Sequence, residues 1–205
     1  MQAMSMRNRA AGLWAVAALV ICTPSAFGQL SATKIQLPHD TVLTLEVRGN
    51  ALRATLTKAA SARASVKSTV AIDSAIRSAV RDASELVGIG ARAFPDGDRS
   101  YFVLAVATPS AKRSGTGFCG AGTEDKLMLI EWRGQARKLV FRDKLEIQSC
   151  LKSIALQSDQ GSNLSTLLGK VDDPAHIHLT WLEHPKYHQT MKTVTSQDGK
   201  FVVTE

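Results

Sequence analysis

Histidines are the residues of this chain whose spacing most readily suggests chemistry. Four of the five lie between residues 176 and 188, in the stretch DDPAHIHLTWLEHPKYH: His176, His178, His184 and His188. On a strand, His176 and His178 point to the same side, because strand side chains alternate. Two imidazoles with a third histidine or a carboxylate suit Zn²⁺ or Cu²⁺. The sequence therefore offers a zinc site of His176, His178, His184 and Asp173.

Such a site would activate water for hydrolysis if one coordination position stayed open. The competing interpretation starts from the other face of the same strand, where Ile177, Leu179 and Trp181 must point to a core. His176 and His178 then face water, and an exposed pair of histidines on a strand is common without any function. The H-E-x-x-H motif of zinc metalloproteases is also absent. Zinc is thus the one cofactor that the sequence suggests, as an alternative to a protein without cofactors.

A glycine-rich stretch around Cys119, SGTGFCGAGTED, matches the letters of a dinucleotide-binding loop. That fingerprint needs a helix directly after the loop, since helix N-terminal amides bind the pyrophosphate. The following residues, KLMLIEW, are strand-like, so a nucleotide site is not expected. Cys119 remains either a nucleophile, which would need a nearby base, or one half of a disulfide.

The first 28 residues favour the disulfide, because they resemble a secretory leader. Arg7 and Arg9 precede an uncharged apolar run, and the small residues Ala26 and Gly28 suit cleavage after Gly28. The run is too short to span a bilayer, and a bulky residue before Cys22 disfavours lipidation there. A periplasmic or secreted location follows as an expectation.

Removal of this leader leaves Cys119 and Cys150 as the last two cysteines. An even number of cysteines in an oxidising compartment predicts a disulfide. Closing a loop of about 30 residues would stabilise the fold by about 3–4 kcal/mol in the chain-entropy model. The glycine-rich stretch is then structural, held at one end by the bridge.

Charged residues near this loop provide the candidate binding surface. Glu124 and Asp125 either contact a partner or merely solvate a turn. A basic run follows them: Arg133, Arg137, Lys138, Arg142 and Lys144. Such a run protects a strand edge from aggregation, or it forms a patch for an acidic partner, for which we single out Arg137, Lys138 and Arg142. Loss of the leader lowers the net charge from +7 to +5, which is too little for a nucleic-acid-binding protein.

Alternating apolar residues predict strands over most of the mature chain. Residues 41–47 and the following LRATLT form one predicted hairpin, and 126–132 with 137–142 form another. Residues 101–107 are apolar on both faces, which indicates a central strand. Residues 66–87, rich in alanine and serine without glycine or proline, predict the one helix. Residues 160–165 are predicted to be a polar loop.

These elements predict a mainly β (α+β) fold in one domain over residues 29–205. We expect an antiparallel sandwich or a strongly bent sheet with one amphipathic helix and one disulfide, because strands and helices do not alternate. No transmembrane segment is expected in the mature chain.

The spacing of nucleophiles and bases assembles no catalytic group, so we expect a protein that is not an enzyme. The main hypothesis is an exported protein that binds another envelope or secreted protein, as an inhibitor or an immunity protein does. One alternative is a metal-assisted hydrolase that uses His176 and His178. The other is an envelope structural protein that binds anionic surfaces.

Overall fold

The computed structural model describes residues 31–49, 51–61, 64–110, 122–157, 163–187 and 191–205. The predicted leader with Cys22, most of the glycine-rich stretch with Cys119, and His188 lie outside the described residues. The predictions made for them are therefore not tested by the structure.

The described residues form three sheets. The first sheet is an antiparallel meander in the order β1-β2-β3-β4: β1 Ser31–Leu37, β2 Thr41–Arg48, β3 Ala51–Ser61 and β4 Ala64–Thr69. The central sheet has the order β5-β10-β9-β8-β6, with β7 also paired to β8: β5 Ala71–Ile72, β6 Glu85–Gly88, β7 Phe94–Asp96, β8 Arg99–Pro109, β9 Thr123–Arg133 and β10 Lys138–Ser149. The third sheet has the order β11-β12-β13-β14: β11 Ala155–Leu156, β12 His176–Glu183, β13 Met191–Gln197 and β14 Lys200–Thr204.

The central sheet is buried on both faces. Along β8, Phe102, Leu104 and Val106 contribute to a core shared with the first sheet, and the alternate residues Tyr101 and Val103 contribute to a core shared with the third. A strand covered on both sides has apolar residues at every position, which is why residues 101–107 lack an amphipathic alternation. The molecule therefore has three β layers, whereas a sandwich has two.

The described residues include two short α-helices, each between two strands of one sheet. Helix α1, Ser74–Val80, follows β5 of the central sheet, and α2, Leu164–Leu168, follows β11 of the third sheet. Asp73 caps α1 by accepting the Ala75 N–H at 3.0 Å, and Asn163 caps α2 by accepting the Thr166 N–H at 2.9 Å. Side-chain oxygens at this position satisfy amides that have no partner within the helix. Single 3₁₀ turns occupy Ile89–Ala91 and Cys150–Lys152.

The predicted helix over residues 66–87 is wrong in its extent. Only Ser74–Val80 is helical, and the rest of the range includes part of β4, all of β5 and most of β6. Val66, inside the predicted helix, lies on β4 and is 61% exposed. Asp73 and Glu85, also inside it, accept backbone N–H groups at the starts of α1 and α2. The predicted polar loop at 160–165 in turn contains the start of α2.

The predicted fold class is confirmed at the level of a mostly β protein with antiparallel sheets. Both predicted hairpins are present, as the pairs β2/β3 and β9/β10; β5 and β10 are the exception, pairing in parallel. Within the described part of the chain, no helix is long and apolar enough to cross a bilayer.

Candidate binding cleft

The predicted metal-site residues lie along β12 and the loops at its two ends. His176 and His178 point outward and Ile177, Leu179 and Trp181 are buried, as the alternation predicted. His176 Nδ1 lies 2.9 Å from Asp173 Oδ2, and this hydrogen bond is the main cause of the lowered pKa of Asp173. His178 Nδ1 instead lies 3.2 Å from the Thr193 hydroxyl.

His184 has a structural role of its own. Its Nδ1 accepts the backbone N–H groups of Lys186 at 2.9 Å and Tyr187 at 3.2 Å, so that lone pair is not available to a metal. The ring also stacks at centroid distances of 5.1 Å on Trp181 and 4.4 Å on Tyr187. Burial among these rings, with the nearby Lys186, lowers the pKa of His184.

The structure therefore brings together only His176 and Asp173 from the predicted zinc set. Among the residues that the structure describes, no three His, Cys, Asp or Glu side chains are grouped as metal ligands. The predicted zinc site of His176, His178, His184 and Asp173 stays a prediction.

Glu124 and Asp125 do not solvate a turn, because both lie within β9. The Glu124 carboxylate accepts hydrogen bonds from the buried hydroxyls of Ser110, at 2.7 Å, and Ser149. The Leu151 N–H lies 3.4 Å from the same carboxylate. Glu124 thus links the end of β8, the start of β9 and the end of β10.

Asp125 is the more unusual of the two carboxylates. It is only 5% exposed, and within the described part of the chain its buried Oδ1 has no hydrogen-bond partner. Burial, opposed by a hydrogen bond from Thr123 and reinforced by the charges of Glu85 and Glu124, raises the pKa of Asp125 to about 6. Its role in partner binding stays a prediction, although so buried a side chain offers little surface to a partner.

Cys150 follows β10 at the same end of the sheet. A β-carbon at position 122 would lie 3.1 Å from Cys150 Cβ and 3.5 Å from its Sγ. The chain three residues after Cys119 therefore runs directly against Cys150, and a glycine at 122 leaves room for this approach.

The predicted basic patch divides into separate environments. Arg133 and Arg142 both donate to Glu131, with Nε–O distances of 3.0 Å and 2.6 Å. Burial disfavours ionisation of Glu131, but these two guanidinium groups outweigh it and lower the pKa of the carboxyl. Lys138 is exposed and alternates with Leu139, which faces the first core, so Lys138 lies on the opposite side of the sheet.

Arg137 instead lines a cleft between the first sheet and the β9–β10 hairpin, which we name the Trp132 cleft. The floor of the cleft is the same face of the first sheet that carries its core residues. The paired residues Leu43 and Leu56 are buried there, and the next inward row is Thr41, Lys58 and Val66. This row extends past the end of the core, so the two sheets leave a cavity of about 670 Å³.

Trp132 forms the opposite wall of the cleft, partly buried against the first core. Two turns form the rims: Pro38 and His39 after β1, and Gly134 with Arg137 between β9 and β10. His39 and Arg137 both have positive φ, 61° and 46°, which holds these non-glycine residues in an uncommon turn conformation.

A second cavity of about 760 Å³ adjoins the first and shares Pro38, His39, Trp132 and Gly134 with it. Together the two cavities present four cationic side chains against two anionic ones: Lys58, Arg99, Arg133 and Arg137 against Asp98 and Glu131. The salt bridges within the described residues include neither Lys58 nor Arg137. The cleft therefore combines apolar walls with an excess of positive charge.

Arg137 was predicted as a binding residue from the basic run, whereas Lys58 and Val66 on the other side of this cleft were not. The signal was present in β3, where the inward positions Leu52, Ala54 and Leu56 are followed by Lys58. A lysine at the end of an apolar alternation marks the position where the core ends. Glu124 and Asp125 lie at the other end of β9, about eight residues or roughly 27 Å from Trp132 at ~3.4 Å per residue.

Comparison with known proteins gives no relative: no protein-family model matches the chain, and a search of curated proteins finds no match.

Proposed function

We propose that this chain is an exported, non-catalytic binding protein that holds an acidic segment of another envelope or secreted protein in the Trp132 cleft. Its action is that of an inhibitor or an immunity protein: it occupies its partner's surface. The leader ends near Gly28, and residues 29–205 form the single mature domain with a Cys119–Cys150 bridge.

The unfilled end of the first core is the observation that carries this proposal. Trp132 is only partly buried against the first core, and together with the buried Leu56 it lines a cavity of about 670 Å³ at the end of that core. Covering apolar surface is favourable by about 25 cal/mol per Å². A partner side chain inserted between the sheets would complete the core.

Charge then selects the kind of partner. Lys58 and Arg137 face the same cavity from opposite sides, and Arg99 and Arg133 extend the positive surface into the adjoining one. A carboxylate placed near them would be attracted at little desolvation cost, because Lys58 and Arg137 remain exposed. Charge of this kind contributes chiefly to association rate and selectivity, and Trp132 supplies the aromatic contact typical of binding hot spots.

Export is supported by the position of Cys150. A β-carbon at position 122, three residues after Cys119 in the sequence, would lie 3.5 Å from Cys150 Sγ, and a disulfide requires Cα atoms about 4.4–6.8 Å apart. The intact mass of the natively produced protein tests both leader cleavage and disulfide formation. We expect the mass of a chain that starts near Gln29 and lacks the two hydrogens lost when the disulfide forms. An uncut leader or two reactive thiols would contradict the proposed location.

Partner capture with charge variants tests the binding proposal. The purified, oxidised protein is immobilised and exposed to envelope extract as wild type, Lys58→Met with Arg137→Gln, and Lys144→Met. Lys144 is an exposed lysine of the same basic run that does not line the cleft, so it serves as the matched control. We expect wild type and Lys144→Met to retain one protein partner that the cleft variant loses.

The same three proteins distinguish the anionic-surface alternative. Binding to vesicles containing phosphatidylglycerol, weakened equally by the cleft variant and by Lys144→Met, would indicate general charge attraction and would replace the proposal. Retention of the same partner by all three proteins would place the binding site outside the Trp132 cleft.

A further inference from the structure

The open edge of β4 lies beside the Trp132 cleft. In the first sheet, β1 and β4 are the two edge strands. The edge of β1 is covered: the Ala93 N–H donates to the Gln36 carbonyl at 2.7 Å, and the Gly88 N–H donates to the Thr33 hydroxyl at 3.0 Å. Among the described residues, β4 has β3 as its one strand partner, so its outer edge can still pair.

The edge carries few of the usual devices against pairing with another chain, which are proline, bulges and several charges. The sequence of β4, ASVKST, contains no proline and one charge, Lys67, and its pairing with β3 has one register irregularity, at Ala59 and Ser61 of β3. Val66, paired with Lys58, is 61% exposed. A solvent-exposed valine on an unpaired edge is unfavourable for a protein without a partner there.

Side chains of β4 connect this edge to the cleft. Val66 and Ser68 line the cavity, opposite Lys58 and Leu56 on β3. Lys67 alternates with them and therefore points to the other face of the sheet. A strand added to β4 would place alternate side chains into the cleft beside Val66, with Lys58 and Arg137 close by, and the remaining side chains near Lys67.

We infer that the partner's acidic segment binds as an added β-strand on β4, with alternate side chains in the Trp132 cleft. The inference rests on the proposed function and specifies the form of the ligand: an extended segment of about six residues, matching β4 in length. Main-chain hydrogen bonds to the edge provide affinity, and alternate side chains provide specificity, as in other strand-addition complexes. Positive charge on both faces, from Lys58, Arg137 and Lys67, selects acidic residues.

A short synthetic peptide tests strand addition directly. The probe is the blocked hexapeptide Val-Glu-Val-Glu-Val-Glu, and the matched charge control is Val-Lys-Val-Lys-Val-Lys. A change in tryptophan fluorescence reports binding at Trp132, because Trp181 is fully buried and does not contact the peptide. The variant Trp132→Phe should remove this change. We expect salt-sensitive binding of the acidic probe that is at least tenfold stronger than that of the basic control.

Two N-methylated forms of the acidic probe separate strand pairing from simple occupation of the cleft. One carries N-methyl groups on its valines and the other on its glutamates, so charge and side chains are unchanged. Because alternate N–H groups of a strand point to opposite edges, one form should lose at least tenfold in affinity while the other binds nearly as the parent does. The parent should also slow amide exchange in β4 but not in β1.

The outcomes also separate this inference from the proposed function. Equal binding of both N-methylated forms, without protection of β4, would overturn strand addition and leave the cleft as the binding site. No binding of the acidic probe at low salt would overturn strand addition as well, and the capture experiment would then decide the proposed function separately.

Discussion

Replacing the buried carboxyl of Asp125 with an amide should make the protein more stable at neutral pH. Asp125 is 5% exposed, its Oδ1 has no hydrogen-bond partner among the described residues, and its pKa is raised from 3.8 to about 6, chiefly by burial. Above that pKa the folded protein must hold a buried negative charge near Glu124 and Glu85. Asp125→Asn removes the charge and keeps the shape.

The magnitude follows from the shift in pKa. A rise of about two units corresponds to about 3 kcal/mol at about 1.4 kcal/mol per unit. The folded state binds the proton more tightly than the unfolded state does, so stability is lost as pH rises from about 4 through about 6. The amide of Asp125→Asn would bury an N–H group without an acceptor, which lowers the free energy of unfolding by about 1 kcal/mol. We expect a net gain of about 2 kcal/mol for Asp125→Asn at pH 7.5.

Urea denaturation of both proteins between pH 4 and pH 7.5 measures this difference. The gain of Asp125→Asn should grow as pH rises through the window and become constant above it. Asp98→Asn is the matched control, since the Asp98 side chain is 96% exposed, and its effect should stay within about 0.5 kcal/mol. A variant that is less stable than wild type at pH 7.5, or a difference independent of pH, would refute the reasoning.

Three further changes have defined outcomes. Glu131→Gln should lower the free energy of unfolding at pH 7 by about 2 kcal/mol, because Arg133 and Arg142 lose the negative charge to which both donate. Since the pKa of Glu131 is lowered in the folded protein, the loss measured by urea denaturation should shrink as pH falls below about 4. A loss that is the same at every pH would contradict this prediction. Gly90→Ala should lower the melting temperature more than Gly97→Ala does. Both glycines have φ near +60°, but only at Gly90 would a new β-carbon lie 2.6 Å from Pro174 Cδ. Equal shifts in melting temperature would show that this steric contact is unimportant. Reduction of the proposed Cys119–Cys150 bridge should cost about 3 kcal/mol of stability in the chain-entropy model, whereas an unchanged urea midpoint would indicate that no bridge forms.

Local sequence patterns were sufficient for the hairpins and for the buried central strand. In β2, alternating apolar residues lie in the first core, as period-two spacing requires. In β8, apolar residues on both faces correspond to layers on both sides of the sheet. These features depend on neighbours in sequence or on composition alone, so a single sequence reveals them.

The strand β4 was mistaken for the start of a helix because its pairing is not visible locally. Ala64–Thr69 lacks glycine and proline and contains alanine and serine, which a helix tolerates. Pairing with β3 through Lys58–Val66 and Leu56–Ser68 decides the conformation, and such tertiary contacts override weak propensities. Asp73 then caps a helix of only seven residues.

The candidate cleft was only half predictable for the same reason. Arg137 belongs to a basic run that is evident in the sequence, but Lys58 and Val66 come from strands of another sheet. They lie opposite Trp132 only because the first sheet packs against the central sheet. Lys138 and Arg142 do not line the cleft, because Lys138 faces the other side of the sheet and Arg142 binds Glu131. The binding role predicted for these two residues stays a prediction.

Site-specific crosslinking in the cell tests the central claim most directly. Benzoylphenylalanine is placed at position 66, in the Trp132 cleft, or at position 191, on the third sheet; the native side chains Val66 and Met191 are 61% and 64% exposed. We predict a single adduct with another exported protein from position 66 only, lost when Lys58→Met is added. Adducts from position 191 alone, or none from position 66, would contradict partner binding at the cleft.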